Sequence, residues 1–110
     1  MPLMTDKILV LSTCATAEEA EKVAHGLVEL RLAACVNVIG AAKSIYRWKG
    51  AIERAEEHVL LIKSSRGLFE ELKKALEQLH SYEVPELLCL PIVDGAPNYL
   101  HWLESELGSK

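Results

Sequence analysis

Several groups able to move a proton or bind an ion crowd into the stretch from His80 to Glu86: the imidazole of His80, the phenol of Tyr82 and the carboxylates of Glu83 and Glu86. Pro85 has no backbone N–H and biases Val84 toward extended geometry, so a helix running into this stretch must stop before it. The groups therefore fall at a helix-to-strand junction, the kind of place where binding and catalytic residues concentrate. His80 has two readings. It is a helix-terminal residue meeting carbonyls at the negative end of the dipole, or it is a metal ligand or acid/base group paired with Glu83.

Other side chains enter with their own alternatives. Cys35 lies in the apolar run Ala33-Ala34-Cys35-Val36-Asn37-Val38, as a small core residue or as a thiol facing a pocket, where it would suit a soft metal. Cys14 precedes the first helix; Thr13-Cys14-Ala15-Thr16-Ala17 lacks the second thiol of a Cys-x-x-Cys, and the helix N-terminus predicts a lowered thiol pKa. Cys89, between Leu88 and Leu90, reads as core. Lys63 closes the run Val59–Ile62, either as the exposed end of a strand or as a pocket cation matched to Glu83 or Glu86. Tyr46 and Trp48 alternate with Ile45 and Arg47, so the two aromatics share one sheet face and suit interface packing. His25, His58 and His101 have no second ligand at a telling spacing and read as surface or structural. No Gly-rich phosphate loop, zinc-type Cys/His pairing or nucleophile elbow is present, so no reaction is specified.

The frame that must position these groups is small. The 110 residues, half of them hydrophobic and a quarter charged, make one globular domain over residues 1–110. A net charge of −4 offers no basic footprint for nucleic acid. Residues 1–7 include Asp6, and the apolar run Ile8–Leu11 is too short for a signal peptide or membrane span. The three widely spaced cysteines read as reduced thiols of a cytoplasmic protein.

Lys7–Thr13 is the nearly continuous apolar run of a strand buried on both faces. Thr16-Ala17-Glu18-Glu19 matches a capping box, and Ala20, Val23, Ala24 and Leu27 continue at helical spacing, predicting a helix over Ala17–Arg31. Ala33–Trp48 is β-rich, with a bulge or bend at Gly40-Ala41-Ala42. Lys49-Gly50 makes a two-residue turn, and Ala51–Ser64 returns as a long strand. Leu68, Leu72, Ala75, Leu76 and Leu79 mark a second helix, Leu87–Val93 a strand, and Pro97 the first position of a last helix with Leu100, Leu103 and Leu107 on one face. The order β-α-β-β-α-β plus a C-terminal helix predicts an α+β, ferredoxin-like fold with a long central β-hairpin.

The hairpin outruns its cover. Arms of roughly 14 residues reach about 46 Å, against about 22 Å for a 15-residue helix. Ile45, Tyr46, Trp48 and Ile52 fall in the overhang, where a monomer would leave them in water beside unpaired strand edges. An oligomer built on this hairpin is predicted.

Over nearly the whole chain, from Lys7 to Leu107, the sequence resembles the CutA family, the divalent-cation-tolerance proteins. The resemblance is carried by Leu30-Arg31-Leu32-Ala33-Ala34-Cys35-Val36-Asn37, Ser44-Ile45-Tyr46-Arg47-Trp48-Lys49-Gly50, Leu61-Ile62-Lys63-Ser64, His80-Ser81-Tyr82-Glu83-Val84-Pro85-Glu86 and Tyr99-Leu100-His101-Trp102-Leu103. It implies a stable homotrimer joined through the Ala33–Ser64 hairpin. It also implies a ligand pocket at each subunit interface, lined by Cys35, Lys63, His80, Tyr82, Glu83 and Glu86 with Tyr46 and Trp48 nearby. Some members bind copper or other divalent metals, so copper or zinc is the implied cofactor, with His80 and Glu83 as its ligands and none strictly required. Copper-binding bacterial members can carry a cysteine where this chain has Ser12 and a His-His pair where it has Leu79-His80, which argues against a soft, tight copper site here. The function so implied is a trimeric cytoplasmic protein of divalent metal tolerance that binds a metal ion or small ligand in its interfacial clefts. An enzyme using Lys63, Tyr82 and Glu83 in the same pocket, or a purely structural trimer scaffold, are the alternatives.

Overall fold

The computed structural model describes residues 5–109; residues 1–4, the start of the segment read as unsuited to a leader, lie outside them. The chain runs through β1 (Lys7–Cys14), α1 (Ala17–Glu29), β2 (Cys35–Trp48), β3 (Ala51–Ser65), α2 (Phe69–Leu79), β4 (Leu88–Pro91) and α3 (Pro97–Glu106), with a 3-10 turn at Arg66–Leu68 leading into α2. All pairings are antiparallel and the sheet order is β2-β3-β1-β4. This is the ferredoxin-like arrangement that the element order predicts.

Local chemistry explains most boundaries. Thr16 Oγ1 accepts the Glu19 N–H at 3.1 Å and starts α1, as the capping-box reading requires. The helix stops at Glu29 instead of Arg31, because Arg31 turns to φ 60 and breaks the α-helical path. At the hairpin tip Lys49 and Gly50 both take positive φ, 50 and 84, the signature of a two-residue type I′ turn. The expected irregularity in β2 falls between Ile39 and Ala42, where the pairing with β3 shifts register. Gly40 is required there: a Cβ at this position would lie 2.5 Å from His58 Cδ2. β4 is shorter than the predicted Leu87–Val93 and covers Leu88–Pro91, with the Ile92 N–H still donating to the Lys7 carbonyl at 3.0 Å.

Ile8, Val10, Leu60 and Ile62 of the sheet pack with Val23, Leu27, Leu72 and Leu76 of the helices, and Leu103 and Leu107 join them from the C-terminal segment. Lys7 is buried at the start of β1, its Nζ 2.6 Å from both Asp6 and Glu104. Cys89, expected in the core, is exposed: β4 lies at the edge of the sheet, and an apolar sequence there guarantees no cover.

The other sheet face is apolar and open. The register sets Ile39 opposite Val59, Leu9 opposite Leu90 and Leu11 opposite Leu88, and Ile39, Leu88 and Leu90 are all exposed. The outer hairpin is exposed as its length predicts, Ile45 at 64% and Ile52 at 67%.

Candidate functional site

β1 ends, β3 passes and the chain leaves α2 at one end of the sheet, and a cleft of about 640 Å3 opens there. The outer hairpin supplies Ser44, Tyr46 and Trp48 to its lining, and the segment after α2 supplies Tyr82, Glu83 and Glu86. Thr13 and Glu57 complete the polar part of the lining. Ser12 secures the segment from beneath, its hydroxyl donating to the Glu86 carbonyl at 2.7 Å.

Glu57 is the organising group. It is 8% exposed, and its Oε2 accepts from the Tyr82 phenol at 2.8 Å and from the Thr13 hydroxyl at 3.3 Å. Burial opposes its charge, but hydrogen bonds from Ser44, Tyr82 and Thr13 outweigh burial and hold the carboxyl below its ordinary value of 4.5. Burial, and then the Glu57 carboxylate, push the Tyr82 phenol well above its usual 10. Tyr82 therefore stays protonated and donates.

His80 caps α2 but does not line the cleft. Its Nε2 lies 2.5 Å from the Thr13 carbonyl and 3.7 Å from Cys14 Sγ, and its Nδ1 accepts the Tyr82 N–H at 3.1 Å. The carbonyl can only accept, so Nε2 carries the proton and both ring nitrogens are engaged. The carbonyl it meets belongs to β1, not to its own helix, so the ring pins the end of α2 to the sheet. Glu83, its expected partner as a metal ligand, is exposed in the cleft lining. Among the described residues no cluster of three or more His, Cys, Asp or Glu side chains is arranged to hold a metal ion.

Of the residues expected to share a pocket, Tyr46, Trp48, Tyr82, Glu83 and Glu86 converge on this cleft. Cys35 and Lys63 do not: they face each other across β2 and β3, with Lys63 Nζ 3.9 Å from Cys35 Sγ and hydrogen-bonded to Asn37 Oδ1. Lys63 stands roughly 20 Å along β3 from Glu57 at the usual strand rise, so within one chain its partner is Asn37 and not Glu83 or Glu86. The expected lowering of the Cys14 pKa is reversed. Burial first, then the charges of Glu19 and Glu57, push it up to about 11, so the group stays a thiol at neutral pH. Glu57 and Thr13 were invisible as site residues: nothing in Ala55-Glu56-Glu57-His58 separates Glu57 from its neighbour, and only the β1–β3 pairing sets it beside Thr13.

Residues 8–106 match the family model described as CutA1 divalent ion tolerance protein. The divalent-cation tolerance protein CutA of Thermus thermophilus is 44% identical over 100 residues, 91% of this chain and 97% of that protein. The mouse protein CutA is also 44% identical, over 83% of this chain but only 51% of its own length. Among solved structures, CutA from Xylella fastidiosa superposes with a TM-score of 0.92 at 38% identity, covering 94% of this chain and all of that one. CutA1 from Oryza sativa gives 0.94 at 32% identity, covering 97% and 98%. A match over almost the entire sheet and all three helices leaves one assignment: the chain belongs to the CutA1 divalent ion tolerance family.

Proposed function

We propose that this chain is a self-assembling binding protein of divalent metal tolerance, a homotrimer joined through the β2–β3 hairpin, whose cleft takes a divalent metal ion or a small ligand between subunits. The observation that carries the reading is the cleft itself: a cavity of small-ligand size whose Glu57 gathers hydrogen bonds from Thr13 of β1 and Tyr82 of the segment after α2. The open apolar face and the exposed hairpin supply the surface for self-association. A trimer would also bring a second chain's Cys35 and Lys63 within reach of a neighbouring cleft.

The donor set bears on the metal. Glu83 and Glu86 offer oxygen ligands, which suit harder divalent ions better than copper. His80 would join them only by releasing the Thr13 carbonyl or the Tyr82 amide, and Ser12 is already committed to the Glu86 carbonyl. A copper or zinc ion would therefore be held weakly, its remaining ligands coming from water or a second subunit. The site of action is the cytoplasm; no helix among the described residues is long and apolar enough to cross a membrane, while relatives carry chloroplastic and periplasmic names.

Native mass spectrometry, with and without a slight excess of Cu(II) or Zn(II), tests this reading. A trimer gaining up to three ions supports assembly and metal sites together. A trimer gaining none removes the metal and leaves the small ligand. A monomer overturns the assembly.

A further inference from the structure

Cys35 and Lys63 stand directly opposite each other on β2 and β3, and both are half-buried. Side chains so placed have Cβ atoms about 5 Å apart, and here Lys63 Nζ lies 3.9 Å from Cys35 Sγ. Asn37, on the same face of β2 as Cys35, accepts a hydrogen bond from that nitrogen through Oδ1 and keeps it beside the sulfur. The contact is made within one chain and uses neither the cleft nor an exposed surface. We propose that Cys35 and Lys63 form a site of oxidative modification: a hydroperoxide converts the thiol to a sulfenic acid, and the lysine amine closes on it as a covalent Sγ–Nζ sulfenamide joining β2 to β3.

The chemistry balances with the peroxide as the oxidant. Cys35 releases its thiol proton to solvent, and its sulfur attacks one peroxide oxygen. The O–O bond breaks, sulfur loses two electrons to the peroxide, and the Lys63 ammonium protonates the departing hydroxide to water. That transfer leaves a neutral amine with a lone pair beside the new sulfenic acid. The amine attacks sulfur, the S–N bond forms as the S–O bond breaks, and the hydroxyl leaves with a proton from nitrogen as a second water. Sulfenic acids condense with a nearby thiol or nitrogen, and within the chain the nitrogen is the near one. Cys14 ends β1, away from Leu9, which pairs with Lys63, and Cys89 stands opposite Val10, on the other face of the sheet. The flexible four-carbon stem of lysine lets Nζ close the remaining gap while both strands keep their register. The link would lock the inner end of the hairpin. In the trimer proposed above it would also remove the Lys63 charge from the neighbouring cleft, a consequence that rests on that assembly while the link itself does not.

The test is mass spectrometry of the intact chain after hydrogen peroxide treatment, in a Cys89→Ser background that removes the exposed thiol. A product lighter than the reduced protein by two hydrogens is expected, with chymotryptic mapping showing the Cys35 and Lys63 peptides joined. Dithiothreitol should restore the reduced mass, since it cleaves the S–N bond. Lys63→Met keeps the length of the side chain but has no amine; it should lose the link entirely, and Cys35 should pass on to the sulfinic acid, two oxygens heavier. Sulfinic acid at Cys35 with Lys63 free in the parent overturns the proposal, as does a Cys35 that peroxide leaves unchanged. A product one oxygen heavier and two hydrogens lighter, with the same peptides joined, marks an S–O–N bridge and overturns the direct bond. The same loss of two hydrogens in Lys63→Met assigns the nitrogen to the backbone and removes Lys63 from the chemistry.

Discussion

The Tyr82 phenol donates to Glu57 Oε2 across 2.8 Å, joining the segment after α2 to the middle of β3. This bond defines the cleft, since it fixes one wall against the strand that carries the other. Tyr82→Phe removes the donor and leaves a buried carboxylate short of a partner, a loss of about 1–3 kcal/mol. Urea denaturation should show the loss as a lower midpoint at unchanged slope. An unchanged midpoint would mean that the bond does not hold the segment.

Glu57 also sets an acid limit. Its carboxyl is held below 4.5 in the fold, so its stabilisation is complete above that ordinary value and is lost as pH falls through the depressed one. Asp6 behaves alike, its pKa lowered chiefly by the hydrogen bond from Lys7. Thermal midpoints should fall below pH 4.5, and Glu57→Gln should flatten part of that fall while lowering stability at neutrality. A variant with the parent's acid slope would remove Glu57 from this role.

Thiol reactivity should separate the three cysteines. With a pKa near 11 against an ordinary 9.0, Cys14 carries about 100-fold less thiolate at any pH below 9, and it is fully buried. An aromatic disulfide reagent at pH 8 should label exposed Cys89 quickly and Cys14 only on unfolding. Rapid labelling at all three positions would contradict the burial of Cys14.

Gly40 and His58 form a steric pair. Gly40→Ala sets a methyl group 2.5 Å from the imidazole and should cost about 1–3 kcal/mol, as overpacking does. Adding His58→Ala should recover most of that loss in a double-mutant cycle, and additive losses would place the strain elsewhere.

Self-association through the hairpin has a direct check. Ile45 and Ile52 are exposed in the single chain, so Ile45→Lys with Ile52→Lys should leave the circular dichroism of the fold unchanged. Sedimentation of the pair should show dissociation to monomer at micromolar concentration, and an intact oligomer would rule out the outer hairpin as the contact.

The elements were legible where one residue type forces one geometry. Thr16 and Glu19 mark the start of α1, Pro97 the start of α3, and Lys49-Gly50 the tip of the hairpin. Hydrophobicity alone misled at Cys89, because an apolar triplet does not say whether its strand is central or at an edge. The site was half legible. Tyr82, Glu83 and Glu86 are conspicuous as neighbours in the chain, whereas Glu57 acquires its role from partners distant in sequence, Thr13 and Tyr82. His80 was visible as a helix end, but its bond to the Thr13 carbonyl depends on how α2 docks on β1.

The irregularity between Ile39 and Ala42 reaches further than its own neighbourhood. β2 advances three residues there while β3 advances two, from Val59 to Glu57. Before it, the odd-numbered residues of β2 stand opposite the odd-numbered residues of β3; after it, the even-numbered ones do. Tyr46 and Trp48 thus share a side with Glu57 only because the strand has changed phase. Pairing straight through, with Ala41 opposite Glu57, would turn both rings to the opposite side and bring Ile45 and Arg47 in beside the carboxylate. One inserted residue decides which half of the outer hairpin the cleft can see.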